Sequence, residues 1–139
     1  MSLLPIPYTK HARLPVGSFV KIKGTPAMPF SMDSQMQVDF HTGNENISDI
    51  AFHFRVFYGR RVVMNTRQGG KWGEEVKLNA VPPFEDEQPF DLTILVQSDA
   101  YQVSVNGREY YKFPHRLEPG TVKMIQVWRE VSLTSVTVA

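Results

Sequence analysis

The chain has 139 residues, 42% hydrophobic and 21% charged, with 15 Lys and Arg against 14 Asp and Glu for a formal net charge of +1. That length fits one domain, residues 1–139, able to bury about two-thirds of its unfolded surface, and the balance lacks the basic excess of a nucleic-acid binder. No cysteine is present, which excludes a disulfide framework, thiolate zinc, iron–sulfur centres and cysteine nucleophiles.

The chain opens with MSLLPIPY, which has neither the basic region nor the apolar run of a secretory leader. No stretch of about 18 apolar residues follows anywhere, so the expectation is a cytosolic product that does not insert into membranes. Strand candidates then run at Ser18–Lys23 and Met36–His41, with a turn at Gly24-Thr25-Pro26 between them. Asn46-Ile47-Ser48 fits a glycosylation acceptor but reads, without a leader, as a polar loop beside a strand. Ile50, Phe52, Phe54, Val56 and Tyr58 alternate with Ala51, His53, Arg55 and Phe57, the period of a pleated strand, with the first row predicted to face the core.

Past a Gly59-Arg60 turn come Arg61–Thr66 and a single strand over Lys71–Leu78, then Phe90–Val96 after Val81-Pro82-Pro83. Tyr101, Val103 and Val105 lead into Asn106-Gly107, the hairpin pair whose type I′ turn needs positive φ at both positions, and Arg108–Phe113 returns. One 3₁₀ turn fits within His115–Gly120; Val122–Trp128 and Val131–Val138 complete about ten strands without helical crossovers. That pattern is an antiparallel sandwich or barrel.

Alternation also sorts the polar residues. His53, Arg55 and Phe57 share one side of their strand, and Arg61, Val63 and Asn65 share one side of the next. Trp72 follows at a glycine-relieved bend, with Glu75 and Lys77 on one side. A tryptophan ringed by hydrogen-bonding side chains suits a sugar, whose C–H face can lie on the indole while its hydroxyls donate and accept. A solvated sheet face with Trp72 folded onto the core fits the pattern equally well.

Ile50-Ala51-Phe52-His53-Phe54, Val62-Val63-Met64-Asn65-Thr66 and Trp72-Gly73-Glu74-Glu75-Val76-Lys77 together resemble the signature of the galectins. Pro82-Pro83-Phe84, Val105-Asn106-Gly107 and Phe113-Pro114-His115-Arg116 extend the resemblance over nearly the whole chain. MSLLPIPYT, Gly59–Asn65 and Val122–Arg129 are most similar to the placental and Charcot–Leyden crystal protein subgroup. The resemblance implies an all-β jelly-roll sandwich of two antiparallel sheets, concanavalin-like, with a sugar site on a concave sheet. It implies that His53 meets the axial 4-hydroxyl of galactose, that Asn65 and Glu75 take the 6-hydroxyl, and that Trp72 stacks on the C–H face. Glu75 with Lys77 would reach the next sugar, and Val63 would pack beneath.

Arg55 and Phe57 depart from that signature, standing where the family has Asn and a second Arg. Phe57 cannot replace the donors of a guanidinium. A charge-assisted hydrogen bond contributes roughly 1.5–3 kcal/mol, so losing one or two predicts affinity lower by on the order of tenfold to several hundredfold. Arg55 is long enough either to compensate or to obstruct. The expectation is a β-galactoside-binding lectin with a weakened or shifted site; the rival is a galectin-fold module for protein contacts with a vestigial one.

Other chemistries find no support. Glu74 and Glu75 point to opposite faces and cannot pair across a glycosidic bond, so no enzyme is expected. His11, His41 and His115 lack ligand spacing, and neither metal nor cofactor is predicted. Arg60, Arg61 and Arg67 read as a solvated turn, and Trp128 as core or subunit-interface burial. Family resemblance and the prevalence of two-fold assemblies favour a homodimer. It also implies a cytoplasmic and nuclear protein that reaches glycoconjugates of lactose or N-acetyllactosamine type outside the cell without a leader.

Overall fold

The computed structural model describes residues 3–139; of the N-terminal octet, residues 1 and 2 lie outside them. Among the described residues twelve strands form, joined by turns and two short 3₁₀ turns at Phe30–Met32 and Pro119–Thr121. One sheet contains β1 (Tyr8–His11), β3 (Gln35–His41), β4 (Ile50–Phe57), β5 (Arg61–Gln68), β6 (Lys71–Trp72), β7 (Val76–Leu78) and β11 (Met124–Arg129). Its order is β1-β11-β3-β4-β5-β6, with β7 also pairing β5. The second contains β2 (Phe19–Pro26), β8 (Phe90–Val96), β9 (Ala100–Val105), β10 (Arg108–Pro114) and β12 (Val131–Val138), in the order β10-β9-β8-β2-β12. All pairings are antiparallel, so the predicted jelly-roll sandwich is the fold.

The core lies between the sheets because alternation gives each strand an apolar row. Val38, Phe40, Phe52, Phe54 and Val56 meet Ile22, Leu92, Ile94, Tyr101 and Phe113, all buried. Phe52 stacks on Tyr101 at 4.7 Å between ring centres and sits 5.1 Å from Phe113, a compact aromatic centre. The Asn106-Gly107 turn has φ of 52° and 84°, as the hairpin required.

The structure differs from the sequence reading at four places. The expected turn at Gly24-Thr25-Pro26 is instead the end of β2, which runs on because Gly24, Thr25 and Pro26 pair Leu133, Ser132 and Val131 of β12. β1 pairs β11 where no strand was expected. The predicted Lys71–Leu78 strand is broken at 73–75 into β6 and β7, because the carbonyls of Gly73 and Glu74 turn to Asn65 and Arg116 instead of a ladder. In β4 an extra residue between Ile50 and His53 bulges against both neighbours, since Ile50 pairs Arg67 and His41 while His53 pairs Asn65 and Asp39. The bulge reverses the alternation, so Ala51 joins the core and Ile50 faces away from it, with His41 and Arg67.

Candidate functional site

The outward face of the larger sheet carries a groove of about 620 Å³. Strand register explains which side chains meet there. His53 on β4 stands opposite Asn65 on β5 and Asp39 on β3, Arg55 opposite Val63 and Gln37, and Phe57 opposite Arg61 and Gln35. Lys77 on β7 stands opposite Val63. Trp72 on β6 and Glu75 in the 73–75 link close one end, so all eight predicted side chains, His53, Arg55, Phe57, Val63, Asn65, Trp72, Glu75 and Lys77, line one cavity.

His53 is held from below. Its Nδ1 lies 2.7 Å from Asp39 Oδ1, while Gln37 Nε2 and Trp128 Nε1 donate to Asp39 Oδ2 at 2.8 and 3.0 Å. A carboxylate only accepts, so Nδ1 carries a proton, and Nε2, which has no protein partner among the described residues, is left for the groove. Burial pushes the Asp39 pKa up. The hydrogen bond and charge of His53, with hydrogen bonds from Trp128 and Gln37, outweigh that and hold the carboxyl below its usual value.

Asn65 is equally constrained. Its Oδ1 accepts from Thr66 N at 2.7 Å and Arg116 Nη1 at 2.9 Å, and its Nδ2 donates to Gly73 O at 3.0 Å. One amide N–H remains. Arg116 Nη2 also donates to Glu74 O at 2.7 Å, tying the 73–75 link to the sheet. A Cβ on Gly73 would come within 3.0 Å of Arg116 Nη1 and 3.3 Å of Asn65 Oδ1, so a larger residue would press on the two side chains that hold the link.

Trp72 is 47% exposed, with its ring centre 4.6 Å from that of His53. It is not folded onto the core. Glu75 makes no ion pair among the described residues, with Lys77 or any arginine. Arg55 makes no ion pair with Glu75 among the described residues and turns toward β3. Its Nε donates to Gln35 Oε1 at 2.8 Å and its guanidinium lies 4.8 Å from the Phe57 ring centre.

Several groove residues escaped the sequence reading. Asp39 and Gln37 alternate on a strand read only for its pattern. Trp128 is half-buried in the groove, not in the core, because it lies on the same side of β11 as Gln126 and reaches Asp39. Arg60 sits at the predicted turn, paired with Asp33 at 3.0 Å, but Arg61 packs 4.3 Å from the Phe57 ring centre and Arg67 5.6 Å from Trp72. His41 lines the far end, where burial pushes its pKa down against the nearby charge of Asp39. Asn46 stands at the rim, its Oδ1 accepting from Gln126 Nε2 at 2.7 Å. No cluster of three or more potential metal ligands occurs among the described residues.

Comparison with known proteins gives a consistent picture. The model of the galactoside-binding lectin family matches residues 5–138. Human galectin-16 is 54% identical over 138 residues, 99% of this chain and 96% of that protein. Human galactoside-binding soluble lectin 13 is 51% identical over 138 residues, 99% of each. The solved structure of human galectin-16 R55N superposes with a TM-score of 0.94 at 52% identity, covering 100% of this chain and 99% of that one. Sheep galectin-11 in complex with glycerol superposes with a TM-score of 0.91 at 42% identity, covering 98% and 99%.

Proposed function

Since the chain belongs to the galectins, the galactoside-binding lectin family, we propose that its groove binds β-galactosides of glycoconjugates, with an affinity lowered and a preference shifted by Arg55 and Phe57. The observation that carries this is the set of free valences converging on one groove: an acceptor at His53 Nε2, a donor at Asn65 Nδ2 and an open indole face at Trp72. Galactose offers a donor hydroxyl, an acceptor hydroxyl and a C–H face in matching order. In this pose His53 meets the 4-hydroxyl, Asn65 the 6-hydroxyl, and Trp72 the ring face. Glu75 and Lys77 reach the adjoining sugar, above the floor made by Val63.

The weakening has a structural argument as well as a compositional one. A guanidinium at position 57 would anchor Glu75 and reach the sugar; Phe57 instead collects the guanidinium groups of Arg55 and Arg61. Calorimetric titration with lactose and N-acetyllactosamine tests the reading. Heat that saturates at millimolar sugar supports it, and none at that concentration overturns it in favour of a protein-contact module.

The protein acts by binding, not catalysis. Hydrolysis needs two carboxyl groups across the scissile bond. The groove's carboxylates are Glu75 and Asp39, and the latter is 2% exposed beneath His53. Residues 1–139 form one carbohydrate-recognition unit needing no metal or cofactor. A homodimer supplies two sites and hence avidity, which sedimentation with and without lactose tests. No helix among the described residues is long and apolar enough to cross a membrane. A cytoplasmic and nuclear protein exported without a leader is the localisation proposed, and fractionation of expressing cells and their medium checks it.

A further inference from the structure

Among the described residues, the non-glycine positions with positive φ are Asp33, Glu87, Asn106 and Arg129, and only Arg129 lies within a strand. Its φ of 75° is a left-handed conformation that strains any residue with a Cβ. Arg129 stands opposite Met36, a core residue, so regular pairing would aim it inward, away from the side of Trp128. The left-handed backbone breaks that alternation, and the consecutive residues Trp128 and Arg129 both line the groove. A glycine would make the same bend without strain before β12 enters the other sheet. The strain is therefore tied to the arginine side chain and to what it holds.

Arg129 Nε donates to Gln37 Oε1 at 2.6 Å, and its guanidinium carbon lies 4.3 Å from the Trp128 ring centre. These contacts reach the two donors that pin Asp39. A guanidinium never accepts and an ionised carboxylate never donates, so the Gln37 amide between them has one orientation. Its Nε2 donates to Asp39 Oδ2 at 2.8 Å, and Trp128 Nε1 donates to the same oxygen at 3.0 Å. With Oδ2 occupied, Oδ1 is left to His53 Nδ1 at 2.7 Å. Gln37, Asp39 and His53 are all buried, where a displaced donor or acceptor is costly.

Gln37 has a second partner within reach, since its Nε2 lies 3.3 Å from His53 Nδ1. Released from Arg129, the amide is free to turn toward the ring and donate to Nδ1, which moves the imidazole proton to Nε2. The groove would then present a donor where the sugar's 4-hydroxyl otherwise finds an acceptor. We propose that Arg129 is a positioning residue of the sugar site. It clamps Gln37 and Trp128 on Asp39, and so keeps the His53 ring in the tautomer and orientation that receive galactose. It acts through Gln37 and not by touching the sugar. This deepens the lectin reading and rests on it.

The test uses the full chain and its Arg129→Gly, Gln37→Met and doubly substituted forms, isotope-labelled at histidine. The readouts are exchange of the His53 Nδ1 proton, the ring nitrogen shifts that report its tautomer, and calorimetry with lactose. Glycine takes φ of 75° without strain, so Arg129→Gly is expected to keep a melting temperature near that of the unsubstituted chain. Its His53 Nδ1 proton nevertheless exchanges roughly tenfold faster or more, and its lactose affinity falls by a similar factor. Gln37→Met shows the same two losses, and the double variant loses no more, because both changes break one chain of contacts. Unchanged exchange in Arg129→Gly overturns the clamp. Additive losses of affinity overturn it too, since they place Arg129 on the sugar itself. Exchange is read without sugar, so the two readings fail separately. No lactose binding by the unsubstituted chain overturns the lectin reading and the clamp's role in it, whereas lactose binding with unchanged exchange overturns the clamp alone.

Discussion

The acceptor that His53 presents to the groove exists because Asp39, on a different strand, takes the Nδ1 proton. Asp39→Asn keeps the size and replaces one acceptor oxygen with a donor amide, which must then face His53 or the pair Gln37 and Trp128. The expected cost is about 1–3 kcal/mol of stability and roughly tenfold in lactose affinity, read by denaturant unfolding and calorimetry. Trp72→Ala separates the two readouts. Half-exposed Trp72 contributes little to the core, so retention on immobilised lactose falls strongly while the melting temperature changes slightly. Restoring the family pattern with Arg55→Asn and Phe57→Arg is expected to tighten lactose by about tenfold or more, since charge-assisted donors return to the sugar. No gain in the double variant contradicts the assignment of the weakening to these positions.

The link between β6 and β7 shows how an element of irregular backbone serves the site. Breaking the strand at 73–75 frees two carbonyls, which Asn65 and Arg116 satisfy, and the same bonds orient the Asn65 amide. Arg116→Met removes donors from both Asn65 and the link. It is expected to lose about 1–2 kcal/mol of stability and to weaken lactose binding, with Gly73 showing raised amide exchange. The sequence made the sandwich and the polar row His53, Arg55, Phe57 legible because alternation alone assigns faces. It did not reveal the break or the bulge in β4, since each depends on neighbouring strands: Thr66 donates to Ala51 O and Asn65 to Gly73 O. Ile50 accordingly read as core, and the core reading of Trp128 fails because it shares the outward side of β11 with Gln126, where its indole reaches Asp39. The motif residues were legible because they stand together in short recognisable stretches; Asp39 was not, lying in a strand read only for its alternation.

For the molecule as a whole, stability is tied to pH through two buried groups on the grooved sheet. The His41 pKa lies below its ordinary 6.5, so its contribution is present above that pH and is lost as pH falls toward the native value. The Asp39 pKa lies below its ordinary 3.8, so its contribution persists to lower pH and is lost only as pH falls from about there through the native value. Thermal melts from pH 8 downward are expected to show an early decline beginning near 6.5 and a second below about 4. His41→Asn flattens the first and leaves the second. The two sheets share one core while the groove occupies the opposite face of one of them, so ligand binding leaves the hydrophobic centre untouched. The most direct measurement of the central claim is a lactose titration followed by amide and indole NMR shifts of the labelled chain. Saturable changes at the Trp72 indole, the Asn65 side-chain amide and the His53 backbone are the predicted result. Shifts confined to other surfaces, or none at millimolar lactose, would contradict the account.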